Sequence, residues 1–322
     1  MTEVTGTAEP APSIIGVDVG GSKILARRVD PETGWAEGRV KAPTSTDGPE
    51  SVIDQIEAVV TSIDDWRSSI AIGVGMPGPV TPGGVAGPCP NIEGWDEPID
   101  LAAGLRSRLD KPVVVSNDVN CGAAAEHRLG AGQGYSNMLA IFVGTGVGGG
   151  LVIDNRLLGG ERGIAGEIGH VTVEPGGRPC GCGGRGHLET YAGRAGIDAE
   201  MRRRSDGGAN GFLLSLVGDS PLKSRHLAAG VDAGDPLSFA LIEEAAHALA
   251  RVIGNTATLL DIPLVVLGGG IVDRLGEPFL DQIRQSPDFG GYGPTVTDLV
   301  LARRLDDAGA VGAALLAADQ LA

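Results

Sequence analysis

Cysteine is scarce in this chain, with four in 322 residues. Cys89 and Cys121 stand far apart in unrelated contexts, so a disulfide framework is not expected and a reducing cytoplasm fits better. Positive charge is scarce as well: Lys and Arg number 25 against 41 Asp and Glu, a formal net charge of −16. That balance argues against wrapping nucleic acid or lying on an anionic membrane, because cations must outnumber acids where phosphates are neutralised. No stretch approaches the ~18 unbroken apolar residues of a membrane span. The opening MTEVTGTAEPAP lacks a basic start and an apolar run, so residues 1–13 read as a disordered tail rather than a signal peptide. No Gly-x-x-x-x-Gly-Lys-Ser/Thr occurs, which leaves a Walker-type NTPase unsupported.

What the chain does have is length for two cores and an order of elements that runs twice. Ile14 to Gly20, Ile24 to Val29 and Trp35 to Val40 read as a three-strand meander. A helix is expected over Val52 to Trp66 with Ser51 as N-cap and Asp54 three residues on. Strand Ile70 to Gly75, a helix around Leu101 to Leu109, and strand Pro112 to Val115 running into SNDVNCGAAAE follow. The order then begins again: strand Met138 to Val143, a glycine run, strand Leu151 to Ile153, the turn Asp154-Asn155-Arg156 and a short strand. A long helix opens at Asp235 as N-cap with Pro236 at its first position and runs to about Leu260. Strand Leu264 to Leu267 ends in GGGI, and Leu299 to Ala302 leads into a small-residue helix. Such self-similarity predicts duplication of one supersecondary unit, with a ligand in the cleft between the halves.

Glu167 to Glu189 is the densest segment, GEIGHVTVEPGGRPCGCGGRGHLET with its flanks. Cys180, Cys182, His187 and the upstream His170 have the residue types and spacing of a tetrahedral zinc site. Two cysteines among the glycines of CGCGG are not expected in a core. Glu167 and Glu189 flank the site as ligand-binding carboxylates. His127, His226 and His247 have no such company and are expected at the surface.

Gly144-Thr145-Gly146-Val147-Gly148-Gly149 matches a dinucleotide fingerprint, but a strand follows where that fold needs a helix. A hairpin of exposed amides can still hold phosphates as a nest. Asp18-Val19-Gly20-Gly21-Ser22-Lys23 is the matching turn of the first half. Its bland reading is a tight hairpin needing positive φ; its functional reading is a phosphate clamp with Asp18 holding Mg²⁺ through water. Asp118 is either a helix cap or, facing the ligand, a general base.

Together these motifs resemble the ROK family of sugar kinases and sugar-responsive repressors: DVGGSK at 18–23, SND at 116–118, Phe142 through Gly169, GEIGH at 166–170 and CGCGGRGHLE at 180–189. The resemblance implies an α/β fold of two ribonuclease-H-like domains of the sugar kinase/Hsp70/actin superfamily with a cleft between them. The small domain would comprise 14–119 plus 305–322, and the large one 120–304 with the zinc loop. It further implies that Asp118 is the catalytic base and that Asn91, Asn117, Glu167, His170 and Glu189 contact the sugar. Gly20, Gly21, Ser22 and Lys23 with Asp18 resemble the first phosphate loop, Gly144, Thr145 and Gly146 the second, and Gly268, Gly269 and Gly270 the adenosine-side turn.

The zinc ligands would be His170, Cys180, Cys182 and His187, the last replacing the family's usual third cysteine. Repressor members carry a helix-turn-helix arm before the first strand, for which the start at Ile14 leaves no room. The expected activity is ATP-dependent, Mg²⁺-assisted phosphorylation of a hexose at O6, glucose first, in carbohydrate metabolism and glycolysis. N-acetylglucosamine or N-acetylmannosamine kinase and a non-catalytic sugar sensor are the alternatives. Polyphosphate stays open as a donor, disfavoured by the acidic charge. A cytoplasmic homodimer or homotetramer is expected.

Overall fold

The computed structural model describes residues 12–89, 92–290, 297–303 and 307–321. Most of the expected tail falls outside them, but Ser13 is tied down. Its Oγ lies 3.2 Å from Ser69 Oγ, and its carbonyl accepts from Ile70 N at 2.9 Å. The chain divides into two compact units, one of 1–121, 161–163 and 307–322, the other of 122–160 and 164–306.

The first unit holds β1 (Ile14–Val19), β2 (Lys23–Val29), β3 (Ala36–Pro43), α1 (Pro49–Thr61), β4 (Ala71–Met76), the two-residue strands β5 (Val85–Ala86) and β6 (Ile99–Asp100), α2 (Leu101–Leu109) and β7 (Val113–Asn117). The start of α3 (Asp118–Leu129) also belongs to it. Its main sheet has the order β3-β2-β1-β4-β7, antiparallel on the β1–β2–β3 side and parallel from β1 through β4 to β7. The central strands are apolar almost without interruption, as strands covered on both faces must be. Ile53, Ile56 and Val60 of α1 and Leu101 and Leu105 of α2 share the core with Ile15, Val17, Ile72 and Val74.

α1 starts earlier than its sequence suggests and stops sooner. Gly48 is the N-cap and Pro49 takes the first turn, where its missing N–H costs nothing. Ser51, expected as the cap, instead places its Oγ 2.8 Å from Ser45 Oγ, and Asp54 pairs with Arg108. At the far end Thr61 and Ser62 donate their hydroxyls back to Glu57 and Ala58 carbonyls, which competes with continuation of the helix.

The second unit carries the rest of α3, β8 (Met138–Val143), β9 (Val147–Ile153), β10 (Arg156–Leu157), α4 (Glu189–Ala192), α5 (Arg194–Asp206), α6 (Phe212–Val217), α7 (Ser224–Asp232), α8 (Pro236–Leu260), β11 (Leu264–Gly268), α9 (Val272–Leu275), α10 (Glu277–Gln285) and β12 (Asp298–Leu301). Its sheet, β10-β9-β8-β11-β12, repeats the first in order and direction. The duplication read from the sequence therefore holds, β8 standing for β1 and β11 for β4. α8 opens as expected, with Asp235 accepting from Ser238 N at 2.8 Å.

Three expectations need correction. β9 begins at Val147 rather than Leu151, so Gly148, Gly149 and Gly150 pair with Phe142, Ile141 and Ala140; their backbones are committed to the sheet and form no nest. His226 is buried, not at the surface, with Nδ1 accepting from Lys223 N at 3.3 Å. Cys180 is buried as well, although Cys182 is exposed.

The last helix, α11 (Ala308–Leu321), follows β12 in the chain but belongs to the first unit. β-Carbons on Gly16 and Gly73 would overlap the Ala310 and Ala313 carbonyl oxygens. Glycine at those two strand positions lets the helix backbone rest on the sheet. Conversely, Ala123 of α3 packs with Met138, Ala140 and Leu264 of the second unit. Each unit thus covers its sheet with the helix that follows the other's last strand. Among the described residues no helix is long and apolar enough to cross a membrane.

Candidate active site

In the first unit the functional candidates gather at the C-terminal ends of β1 and β7. The β1–β2 turn closes with Gly20 N donating to Lys23 O at 2.8 Å, and Thr44 braces it, its Oγ1 on Gly20 O at 2.5 Å and its N on Ser22 O at 3.2 Å. Neither Gly20 nor Gly21 has positive φ, so the hairpin does not need them for a left-handed conformation. What they leave is an unshielded backbone, with Gly21, Ser22 and Lys23 exposed.

Asp18, just before this turn, is half-buried. Burial pushes its carboxyl pKa up; Lys23 partly offsets this and Asp307 adds to it. A β-carbon on Gly309, in the first turn of α11, would sit 2.6 Å from Asp18 Cγ. A carboxylate held in such a place favours a cation at its open side, and oxygen donors of this kind suit Mg²⁺.

β7 ends at Asn117 and α3 begins at Asp118. Asn117 Oδ1 accepts from Val119 N at 2.9 Å and Asn120 N at 3.1 Å, while Nδ2 donates to Gly78 O at 2.9 Å. Asn117 is thus the helix cap and a clamp on the MPGP turn, a role the sequence reading gave in part to Asp118. Asp118 Oδ1 also accepts from Val119 N, at 2.8 Å, which fixes the carboxylate at the helix N-terminus. Cys121, one turn on, is fully buried; burial first, then Asp118 and Asp18, push its thiol well above the usual range. The field of both carboxylates therefore reaches one buried sulfur. Asn91, expected as a sugar contact, lies outside the described residues.

In the second unit the β8–β9 turn is the counterpart of the β1–β2 turn. Gly144 N donates to Gly146 O at 2.9 Å, and the start of α5 grips the turn through Arg194 N on Gly144 O and Ala195 N on Thr145 O, both 3.0 Å. Arg194 Nη2 also donates to Thr145 Oγ1 at 2.7 Å. Sequence reading missed Arg194, because its only signal is adjacency to Gly193 in a segment with no periodicity. Glu189 opens α4, and its Oε2 accepts from Val147 N at 3.2 Å. Gly269, with φ 95, crosses the end of β8: a β-carbon there would lie 2.6 Å from Val143 N. Gly268 and Gly269 are therefore packed against the strand that delivers Gly144, and Gly270 faces Ser224.

The four expected metal ligands come together. One donor atom each of His170, Cys180, Cys182 and His187 lie within 4.8 Å of one another. Cys182 Sγ is 3.3 Å from His187 Nδ1, and Cys180 Sγ is 3.8 Å from His170 Nδ1. Tetrahedral zinc with its usual Zn–S and Zn–N lengths needs ligand separations of about 3.3–3.8 Å, so the donor set fits with a small contraction. Backbone bonds shape the loop: Cys180 N donates to Gly184 O at 2.9 Å, Gly183 N donates to Cys180 O at 3.0 Å, and Gly183 takes φ 89 at the tip. Bridges Thr172–His187 and Pro179–Arg185 close its base. His170 turns its other nitrogen, Nε2, toward Glu167 Oε2 at 4.0 Å. One imidazole thus stands between the candidate metal ligands and a candidate sugar carboxylate.

Comparison with known proteins bears on this geometry. The model of the ROK family matches residues 14–320. The glucokinase of Streptomyces coelicolor is 36% identical over 311 residues, covering 94% of this chain and 96% of its own. The N-acetylmannosamine kinase of Citrobacter koseri is 32% identical over 307 residues, 95% of this chain and 98% of its own. Among solved structures, the ROK family glucokinase of Streptomyces griseus in complex with glucose and AMPPNP superposes with a TM-score of 0.78 at 34% identity, covering 95% of this chain and 99% of that one.

Proposed function

The chain belongs to the ROK family and is an ATP-dependent hexose kinase; from that premise we propose that it phosphorylates glucose at O6. The observation that carries the reading is Asp118, set at the first position of α3 with its Oδ1 oriented by Val119 N and its neighbour Asn117 doing the capping. Relieved of that duty, Asp118 serves as general base and takes the O6 proton as oxygen attacks the γ-phosphorus. Glu167, His170 and Glu189 hold the sugar hydroxyls, with Asn91 and Asn117 beside them in the reading. The backbone of Gly20–Lys23 and of Gly144–Gly146 receives the phosphates, and 268–270 the adenosine side.

Asp18 would hold Mg²⁺, which would supply charge neutralisation on the transferring group. His170, Cys180, Cys182 and His187 would hold a structural zinc, which would fix the orientation of the loop and hence of His170 and Glu189. A reducing cytoplasm keeps both thiols available as ligands. Phosphorylation of N-acetylmannosamine is the second reading, favoured by the similarity to the Citrobacter enzyme over nearly the full length of both chains.

An initial-rate panel of glucose, mannose, N-acetylglucosamine and N-acetylmannosamine with MgATP tests the substrate. The highest kcat/KM is expected with glucose, and a higher value with an N-acetylhexosamine transfers the assignment to the second reading. Asp118→Asn tests the base: kcat is expected to fall about 10³-fold with glucose affinity retained, and near-normal kcat removes Asp118 from that role.

A further inference from the structure

The tip of the loop carrying Cys180 and Cys182 leaves one sulfur open and hides the other: Cys182 is exposed and Cys180 buried. β-Carbons on Gly181 and Gly183 would meet nothing within 4 Å, so no neighbouring side chain shields Cys182 from a small molecule. Gly183 N donating to Cys180 O at 3.0 Å closes one turn around both cysteines, and their sulfurs lie within 4.8 Å of each other. Cys89 and Cys121 are buried in the first unit, out of reach of a diffusing oxidant.

His187 gives that pair a particular weight. In the donor set His170, Cys180, Cys182 and His187, the only ligands that carry charge when deprotonated are the two thiols. A set with three cysteines keeps one thiolate after a single disulfide; this one keeps none. Two neutral imidazoles are half of the four ligands a structural zinc takes, and affinity depends on the deprotonated sulfurs. The route from these imidazoles to the sugar residues is short. His187 is bridged to Thr172, Leu188 N donates to Val171 O at 2.9 Å, and Glu189 follows with its Oε2 on Val147 N at 3.2 Å. His170 has Nδ1 3.8 Å from Cys180 Sγ and Nε2 4.0 Å from Glu167 Oε2.

We infer that Cys180 and Cys182 are a site of oxidative modification: a peroxide converts them to a disulfide, and that one bond releases the loop's metal and weakens sugar binding. This rests on the zinc and sugar assignments proposed above. The Cys182 sulfur attacks one peroxide oxygen, the O–O bond breaks and water leaves, giving a sulfenic acid. The Cys180 sulfur then attacks the Cys182 sulfur, the S–OH bond breaks and a second water leaves. Two thiols and one hydrogen peroxide thus become one disulfide and two waters, the sulfurs supplying both electrons. Cysteines one residue apart close a short ring, and exposed or strained bridges are the readily reduced ones, so small thiols reverse the change.

The test treats the protein, isolated with its metal, with a slight excess of hydrogen peroxide. Three signals are followed: alkylation of each cysteine by peptide mass, zinc released to a colorimetric indicator, and glucose affinity by calorimetry. The disulfide is expected in the peptide carrying Cys180 and Cys182, with Cys89 and Cys121 still alkylated after unfolding. Zinc is released in step with it, and Kd for glucose rises about tenfold. Dithiothreitol and zinc restore the parent value. Cys182→Ser, which cannot form the bond, is expected to show no further change in glucose affinity on peroxide treatment. Both sulfurs still alkylated, a disulfide with zinc and glucose affinity retained, or an equal response of Cys182→Ser overturns the inference and leaves the kinase reading intact. Protein that neither carries zinc as isolated nor takes it up removes the metal from the loop, and the inference falls with it. Absence of turnover with MgATP and every hexose, measured in parallel, overturns the kinase reading independently of these signals.

Discussion

Glu189 lies so close to Gly146 that a β-carbon on the glycine would overlap its Oε2. One end of the candidate phosphate turn and one candidate sugar carboxylate therefore share a single van der Waals boundary. Gly146→Ala must push Glu189 aside and break its bond to Val147 N. A fall of about 100-fold in kcat/KM is expected, since ~1 Å misplacement of a positioning group costs that much, with KM for glucose rising. Alanine at 146 with unchanged KM for glucose would falsify the placement of Glu189 in sugar binding.

The zinc loop predicts a metal-dependent sugar affinity. Stripping the protein with a strong chelator is expected to lower glucose affinity by about tenfold or more, the usual size of an effect on an orienting group, and zinc addition to restore it. His187→Ala should release metal more readily than the parent, and His187→Cys should hold it at least as tightly. Metal content by atomic emission checks both. Equal glucose affinity with and without metal removes zinc from the organisation of the site.

Asp18 carries a charge that the fold does not fully offset. Its folded pKa is raised, mainly by burial, with Lys23 lowering it and Asp307 raising it, so ionisation in the folded state costs stability. That loss sets in as pH rises through the ordinary carboxyl range and is complete once pH has passed the raised folded pKa. Asp18→Asn is therefore expected to melt higher than the metal-free parent at pH 7 while losing nearly all activity. A lower melting temperature would show that the carboxylate is satisfied by its surroundings.

Glu200 of α5 behaves in the opposite sense. Arg203 first, then Arg204 and Arg178, hold its carboxyl at about 2, against a cost from burial. Its contribution is fully present above the unfolded value of 4.5 and disappears as pH falls through about 2. Glu200→Gln leaves Arg178 and Arg204 under-paired and should cost about 3 kcal/mol at pH 7. Urea unfolding should also show a flatter pH dependence for the variant between pH 4 and 2; identical slopes refute the assignment.

The parts of the molecule legible from sequence are those whose signals are local. Asp235 with Pro236 announced α8, Asp154-Asn155 the turn after β9, and the spacing of Cys180, Cys182 and His187 their gathering in one loop, because caps, turns and close donor sets depend on neighbours in the chain. The parts that were not legible depend on distant partners. Pro49 outcompetes Ser51 as the start of α1 because Ser45 and Arg108 engage the polar side chains that looked like a cap. α5 was missed because only Ile197 and Met201 face the core while Asp198, Glu200 and three arginines are held by ion pairs.

The return of α11 to the first unit dictates an order of assembly on the ribosome. Most of the second unit's chain, from Gly122 onward, is contiguous and can close its core as it emerges. The sheet of β1 and β4, made first, must wait with Gly16 and Gly73 uncovered until the last helix is synthesised. A chain truncated before Ala308 should consequently leave the first unit open to proteolysis while the second resists, an inversion of the N-terminal-first rule set by two glycines and one late helix.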